Sequence, residues 1–256
     1  QTCALPICPI VQELIDNMRR KGMLEGVHID SDTGTTRPFK PGRDDEILAH
    51  ITIGVLEKIR HYSESGQYDA IVCRGSLEPG FYAGREISKI PVAFALHSSV
   101  HVASLLGDRF SLIEVTDPMA LIARRNIEAY GLGRKLTSVR VMGCSSIELG
   151  NTIYQVPKVE RVRDPGNQRL IELAMKQCRI AIDTDGADTL ILGCTPLQYL
   201  EDEIRAQLDA EGYGEIPLVC EMSAAVEVAK MMVDLKLKQA ARAYPSDELK
   251  SKPPSR

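Results

Sequence analysis

Asp69-Ala70-Ile71-Val72-Cys73-Arg74-Gly75-Ser76 returns, altered, as Asp188-Thr189-Leu190-Ile191-Leu192-Gly193-Cys194-Thr195. Aligned from their aspartates without a gap, Gly75 falls opposite Cys194 and Ser76 opposite Thr195. Each copy runs into a helix-like segment and then into an Ile-Pro pair that opens another strand, Ile90-Pro91-Val92 and Ile216-Pro217-Leu218. Strand–helix–strand units with continuous apolar strands imply parallel sheets covered on both faces. Two such units imply related half-units facing each other across one cleft. In open parallel sheets, ligands bind beyond the carboxyl ends of the strands. Gly75–Ser76 and Cys194–Thr195 both fall there.

Working outward, the apolar period predicts helices over 10–21 and from Asp44 to His61. Short strands are expected at Val27–Ile29, Ala70–Cys73 and Val92–Leu96. A helix from about Ser98 to Leu106 closes at Gly107. Phe110–Val115 reads as a strand, and Thr116-Asp117-Pro118 as the start of a helix over Met119–Tyr130. Strands at Val139–Met142, Thr189–Leu192 and Pro217–Cys220 alternate with helices over 167–184, 197–208 and 223–235. The expected architecture is α/β: two pseudo-symmetric, flavodoxin-like parallel-sheet halves with the active site between them. Residues 8–100 plus 221–238 would form the first half and 101–220 the second.

At 256 residues, with 44% hydrophobic and 26% charged side chains, the chain has the composition of an ordinary water-soluble protein. A net charge of −4 offers no electrostatic case for nucleic acid or an anionic membrane. No apolar run approaches the roughly 20 residues of a membrane span. Seven cysteines without a pairing pattern fit a reducing compartment, so a cytoplasmic location is expected. Thr2-Cys3-Ala4-Leu5-Pro6-Ile7 resembles a translated sequencing adapter, so residues 1–7 are expected to be an artefact and a native first strand to be missing. The polar, Pro/Ser/Lys-rich stretch over 239–256 reads as a disordered tail.

Cys194 is the foremost chemical candidate. It leaves a buried strand and precedes Thr195-Pro196-Leu197-Gln198, which reads as an N-cap, a first-turn proline and a capping-box partner. A thiol there faces the positive end of a helix, which favours thiolate. The bland alternative is a small buried hydrophobe. Among other strand ends, Thr116, Ser98 and Ser99 could bind a substrate carboxylate, although Thr116 also suits a helix cap. Glu221 and Ser223 could contact substrate or cap a helix; Asp30, Ser31 and Asp32 could edge the pocket. Cys144, Cys178 and Cys220 read as packing. His97 and His101 have zinc-compatible spacing but no third ligand, so no metal is expected.

The aliphatic strand ending in Gly193-Cys194-Thr195 resembles the second cysteine motif of the aspartate/glutamate/hydantoin racemase superfamily. Tyr68–Val72, Pro79-Gly80, Ala83-Gly84-Arg85-Glu86, Ile90-Pro91-Val92 and Ala103–Ser111 resemble its hydantoin racemase branch, over residues 44–235 or so. The resemblance implies an enzyme without cofactor, acting on a small carboxylate or cyclic amide. Two cysteines would flank the stereocentre, one removing the α-proton and the other returning one, while backbone N–H groups at helix starts, with Ser76 and Thr195, hold the substrate. A homo-oligomer is also expected, since such relatives commonly associate. The first cysteine departs from the pattern, because the family register puts Gly75 there. Cys73 could serve only if its strand were two residues shorter; otherwise it is a core residue. Ser76 is a weak acid, a hydrogen-bond donor or a cap. A glycine opposite a single cysteine resembles the arylmalonate decarboxylases, in which one thiol protonates a carbanion on one face. Decarboxylation, isomerisation, or silent binding of a small carboxylate therefore stand beside racemisation.

Overall fold

A computed structural model describes residues 9–32 and 45–245. Residues 1–8, which hold the adapter-like stretch, most of the loop before Asp45, and the tail beyond Pro245 lie outside it. The chain is α/β, with every strand pair parallel. Strands β1 (Ile71–Cys73) and β2 (Val92–Phe94) form a two-stranded sheet. Strands β3 (Phe110–Glu114), β4 (Leu136–Val141), β5 (Thr189–Leu192) and β6 (Leu218–Cys220) form a four-stranded sheet ordered β4-β3-β5-β6. The helices are α1 (Pro9–Arg20), α2 (Asp45–Glu64), α3 (Phe81–Ile87), α4 (Ala95–Leu106), α5 (Asp117–Ala129), α6 (Ser146–Tyr154), α7 (Lys158–Arg161), α8 (Pro165–Asp183), α9 (Glu201–Ala210) and α10 (Glu221–Asp234). A 3-10 helix, Thr195–Leu200, leads into α9.

The repeat is real at the level of the backbone. Ile71 N–H donates to the Pro91 carbonyl, and Leu190 N–H, its repeat equivalent, donates to the Pro217 carbonyl, both at 2.9 Å. Ile71 therefore pairs with Val92 as Leu190 pairs with Leu218. A proline cannot donate to the ladder but keeps its carbonyl, so it suits the entry of each second strand. The two sheets differ in depth, however. All four residues of β5 are buried, whereas β1 is half-buried throughout. Each buried Leu or Ile of β5 contributes about 1.5–3 kcal/mol. The halves are joined by α10, whose Ala225 and Ala229 pack on Ala93 and Ala95. Four alanines at one contact let α10 approach β2 and the start of α4 closely.

Several expected elements form differently. Val27–Ile29 makes no strand among the described residues. β2 yields to helix at Ala95, not after Leu96, because the Glu78 carboxylate reaches over to accept from His97 N–H at 2.7 Å in the first turn of α4. The helices α6 and α7 are additional. The start of α6 is a Ser145 cap whose hydroxyl accepts from Glu148 N–H at 2.9 Å, a spacing visible in Ser145-Ser146-Ile147-Glu148. Residues 239–245 of the expected tail are held: the Gln239 amide exchanges two hydrogen bonds with the Val92 backbone, and Arg85 donates to the Tyr244 hydroxyl. No helix among the described residues is long and apolar enough to cross a membrane.

Candidate active site

The loops after β1 and β5 meet. Cys194 N–H donates to the Ser76 hydroxyl at 3.1 Å, across 118 residues of chain. Ser76 in turn donates to Oε2 of Glu221, the first residue of α10, at 3.2 Å. Both loops turn through the left-handed region at the same repeat position, Gly75 with φ +94° and Cys194 with φ +56°. Glycine takes that conformation freely, whereas a side chain there is strained and held by its surroundings. For Cys194 the hold is visible on both sides: its carbonyl accepts from Leu197 N–H at 2.9 Å, and Gly193 N–H donates to the Ile113 carbonyl at 2.9 Å.

Cys194 is 7% exposed and itself occupies the cap position of the 3-10 helix. That corrects the expected capping box. Thr195 is the first residue of the 3-10 helix, not its cap, and Gln198 spends its side-chain oxygen on Met222 N–H at 3.2 Å, in the first turn of α10. Cys194 still stands at the start of a helical turn, although Pro196 brings no N–H to it and Leu197 N–H is taken by the Cys194 carbonyl. Opposite, a Cβ added at Gly75 would meet no described atom within 4 Å, so the position fronts open space.

The other candidates are placed as follows. Cys73 pairs with Phe94 and packs with Ile59, Phe81 and Val92; burial pushes its thiol up to about 12. It packs in the core of the first sheet, and burial disfavours its thiolate. The Thr116 hydroxyl accepts from Met119 N–H at 3.4 Å, the cap geometry. Ser98 and Ser99 are buried in α4, and Ser99 donates to the Leu96 carbonyl. Of Thr116, Ser98, Ser99 and Ser76, it is Ser76 that is joined to Cys194 by a hydrogen bond. His97 Nδ1 lies 3.2 Å from an Arg85 nitrogen, and burial holds its imidazole down at about 3, in the neutral form. Asp30 and Asp32 accept from the Tyr68 and Tyr62 hydroxyls at 3.0 and 2.6 Å. Cys144, Cys178 and Cys220 are buried.

Sequence reasoning missed two acids. Glu114, the last residue of β3, is fully buried, and its Oε2 accepts from Val115 N–H at 2.9 Å. It lies against the Cys194 loop so closely that a Cβ on Gly193 would come within 2.9 Å of its Oε1. Burial pushes Glu114 up to about 7 and Glu221 well above the usual carboxylate range. Glu78, also buried, is pushed up to about 7 and hydrogen bonds to the Tyr130 hydroxyl. A signal existed: an acid at the end of the apolar run Leu112-Ile113-Glu114-Val115 is out of place unless something holds it.

Known proteins share this fold. The family model for Asp/Glu/hydantoin racemases matches residues 29–229. A hydantoin racemase from a Pseudomonas species, strain NS671, is 28% identical over 184 residues, 71% of this chain and 65% of that protein. The match thus spans a little under two thirds of that relative's length. An allantoin racemase from Pseudomonas fluorescens superposes with a TM-score of 0.74 at 22% identity, over 96% of this chain and 93% of that one. Unliganded arylmalonate decarboxylase superposes with a TM-score of 0.50 at 18% identity, over 72% of this chain and 76% of that one. The two superpositions bear on fold alone. The family model covers most of the chain, from before β1 to the last helix, and this protein belongs to the Asp/Glu/hydantoin racemase family.

Proposed function

We propose that this protein is a cofactor-independent enzyme that moves a proton at a carbon next to a carboxylate or amide carbonyl, with Cys194 as the working thiol. The observation that carries the reading is the pairing of Cys194, strained and fixed before a helical turn, with an open Gly75 at the equivalent position of the facing loop. A thiolate at Cys194 takes the α-proton, and the electron pair left on carbon spreads into the adjacent carbonyl. The Thr195 backbone N–H and hydroxyl, at the start of the 3-10 helix, would meet that developing charge. Substrate entry is expected from the Gly75 side. The 28% identity to a hydantoin racemase makes five-membered cyclic amides the first substrates to test.

The same glycine favours a second, one-thiol reading. With no thiol opposite, a carbanion is reprotonated from the Cys194 face or by water, so proton exchange or decarboxylation runs more readily than inversion. In decarboxylation the bond to the leaving carboxylate breaks, its electron pair stays on the α-carbon as carbon dioxide departs, and the Cys194 thiol delivers the proton it regains from solvent. A panel of 5-substituted hydantoins, allantoin, amino acids and arylmalonates, followed in deuterium oxide by proton NMR, tests both. Exchange or decarboxylation that disappears in Cys194→Ala supports an enzyme. Binding without either reaction across the panel identifies a silent relative and rejects the proposal.

A further inference from the structure

Behind the Cys194 loop the structure packs two carboxyl groups whose donors are neutral, the Ser76 hydroxyl on Glu221 and the Val115 N–H on Glu114. Glu114 and Glu221 are each 0% exposed. Each has one oxygen, Oε1, without any hydrogen-bond partner. Neither forms an ion pair among the described residues. The titratable groups that act on Glu221 besides Glu114 are Glu78, from the loop after β1, and Cys220, at the end of β6, while the Cys194 loop touches the cluster through its backbone N–H. None is a cation. The first turn of α10, at Glu221, favours one negative charge, not two. The Ser76 hydroxyl has one proton to give and is committed on its acceptor side to Cys194 N–H. Two ionised carboxylates in such a place would repel each other with no counter-charge, so one of them keeps a proton.

We propose that Glu114 and Glu221 are a proton-sharing pair that positions the Cys194 loop through Ser76 and limits the negative charge behind it, so that losing the shared proton makes the thiol harder to ionise. The inference rests on the reading of Cys194 as the working thiol. Glu114 and Glu221 are positioning residues, since neither reaches the cleft. Glu221 holds Ser76, Ser76 holds the Cys194 amide in its strained conformation, and Glu114 backs Gly193. While the pair keeps its proton, Cys194 ionises against one buried charge at most. Once the proton leaves, a second charge raises the energy of the thiolate. The expected consequence is a thiolate fraction that rises with pH more slowly, once the pair gives up its proton, than that of a thiol without the second charge.

The test uses the full chain and needs no substrate. Infrared difference spectra between the wild type and Glu114→Gln, and between the wild type and Glu221→Gln, are recorded near neutral pH. Loss of a protonated-carboxyl stretch in at least one variant is the expected result; loss of ionised-carboxylate bands alone in both overturns the proposal. In parallel, iodoacetamide labelling of Cys194 is followed by mass spectrometry from about pH 6 to about pH 9, against a Cys194→Ser blank. Removing one charge shifts the thiol by an amount that changes its thiolate fraction about tenfold per pKa unit, so Glu114→Gln should label up to about tenfold faster at the alkaline end. Superimposable pH profiles in the wild type and both glutamine variants contradict the proposal. If Glu114→Gln fails to fold, Glu221→Gln carries both readouts. Ser76→Ala should lower kcat on any turned-over substrate with little change in KM, and Ser76→Thr, which keeps the hydroxyl, should restore part of it; a change in KM alone argues against positioning. Inactivity on every substrate with the spectra and labelling as expected defeats the functional reading and leaves the pair standing; turnover with neither signal does the reverse.

Discussion

The two repeats share one backbone plan and differ in what they hang on it. In each, a short strand ends two residues before a left-handed turn, and the paired strand passes directly into a helix, α4 after β2 and α10 after β6. In each, a side chain from the segment after the first strand reaches over to the start of that helix: Glu78 to α4 and Gln198 to α10. The left-handed position is an open glycine in the first repeat and a nearly buried cysteine in the second. The helix opens with Ala95 in the first and the buried acid Glu221 in the second. A symmetric scaffold therefore carries an asymmetric site. The thiol, the strained backbone and the hydroxyl–carboxyl support lie around the second turn, and the first turn contributes Ser76 and open space.

The largest effect that would break this asymmetry is loss of its thiol. Cys194→Ala is expected to lower kcat about 100- to 10,000-fold on whichever substrate is turned over, the range of a missing acid–base group. Its repeat partner has no side chain to lose, and Cys73→Ala, two residues earlier, should leave kcat within about twofold. Steady-state kinetics of both variants decide between Cys194 and Cys73 as the working thiol. Next in size is core stability. Leu192 and Cys73 are repeat equivalents, but only Leu192 is fully buried. Leu192→Ala should cost about 2–5 kcal/mol in denaturant unfolding, and Cys73→Ala about 1 kcal/mol or less. Equal costs would show that the two sheets contribute alike.

A third variant restores the symmetry. Gly75→Cys places a thiol where no described atom obstructs its Cβ, at a backbone φ that costs about 1–3 kcal/mol in strain. The variant should be less stable by that amount, and racemisation should rise relative to exchange on any chiral substrate that is turned over. The smallest expected effect is on the pH dependence of stability. Glu114 is raised in the folded state, so the folded chain binds more protons than the unfolded one between the ordinary carboxylate range and about pH 7. Its contribution therefore favours folding at low pH and is lost as pH rises through that window. Neutral His97, held down at about 3, acts in the opposite sense, so the comparison must be with Glu114→Gln. Thermal unfolding of Glu114→Gln should depend less on pH between about 5 and about 7.5 than that of the wild type.

What the sequence disclosed and what it hid follow the same division. Local features were legible: each copy of the repeat, each Ile-Pro entry and the Thr116 cap rests on residues a few positions apart, and laying one copy on the other sets Gly75 against Cys194. Features made by distant parts were not. The early start of α4 depends on Glu78, and the Ser76–Glu221 bond spans 145 residues. Glu221 was visible as a residue after a strand, yet its partner Glu114 read as an ordinary strand end until the loop of Cys194 was seen packed on it. The expected capping box failed for a local reason: Cys194 takes the left-handed turn itself, which moves the cap back by one residue.

The central claim is that one thiol works opposite an open position. A single enantiomer of a turned-over hydantoin, incubated in deuterium oxide and followed at once by NMR for exchange and by chiral chromatography for inversion, tests it most directly. The account predicts exchange faster than inversion by about tenfold or more in the wild type, neither process in Cys194→Ala, and converging rates in Gly75→Cys. Exchange and inversion at equal rates in the wild type, or exchange that survives Cys194→Ala, would contradict it.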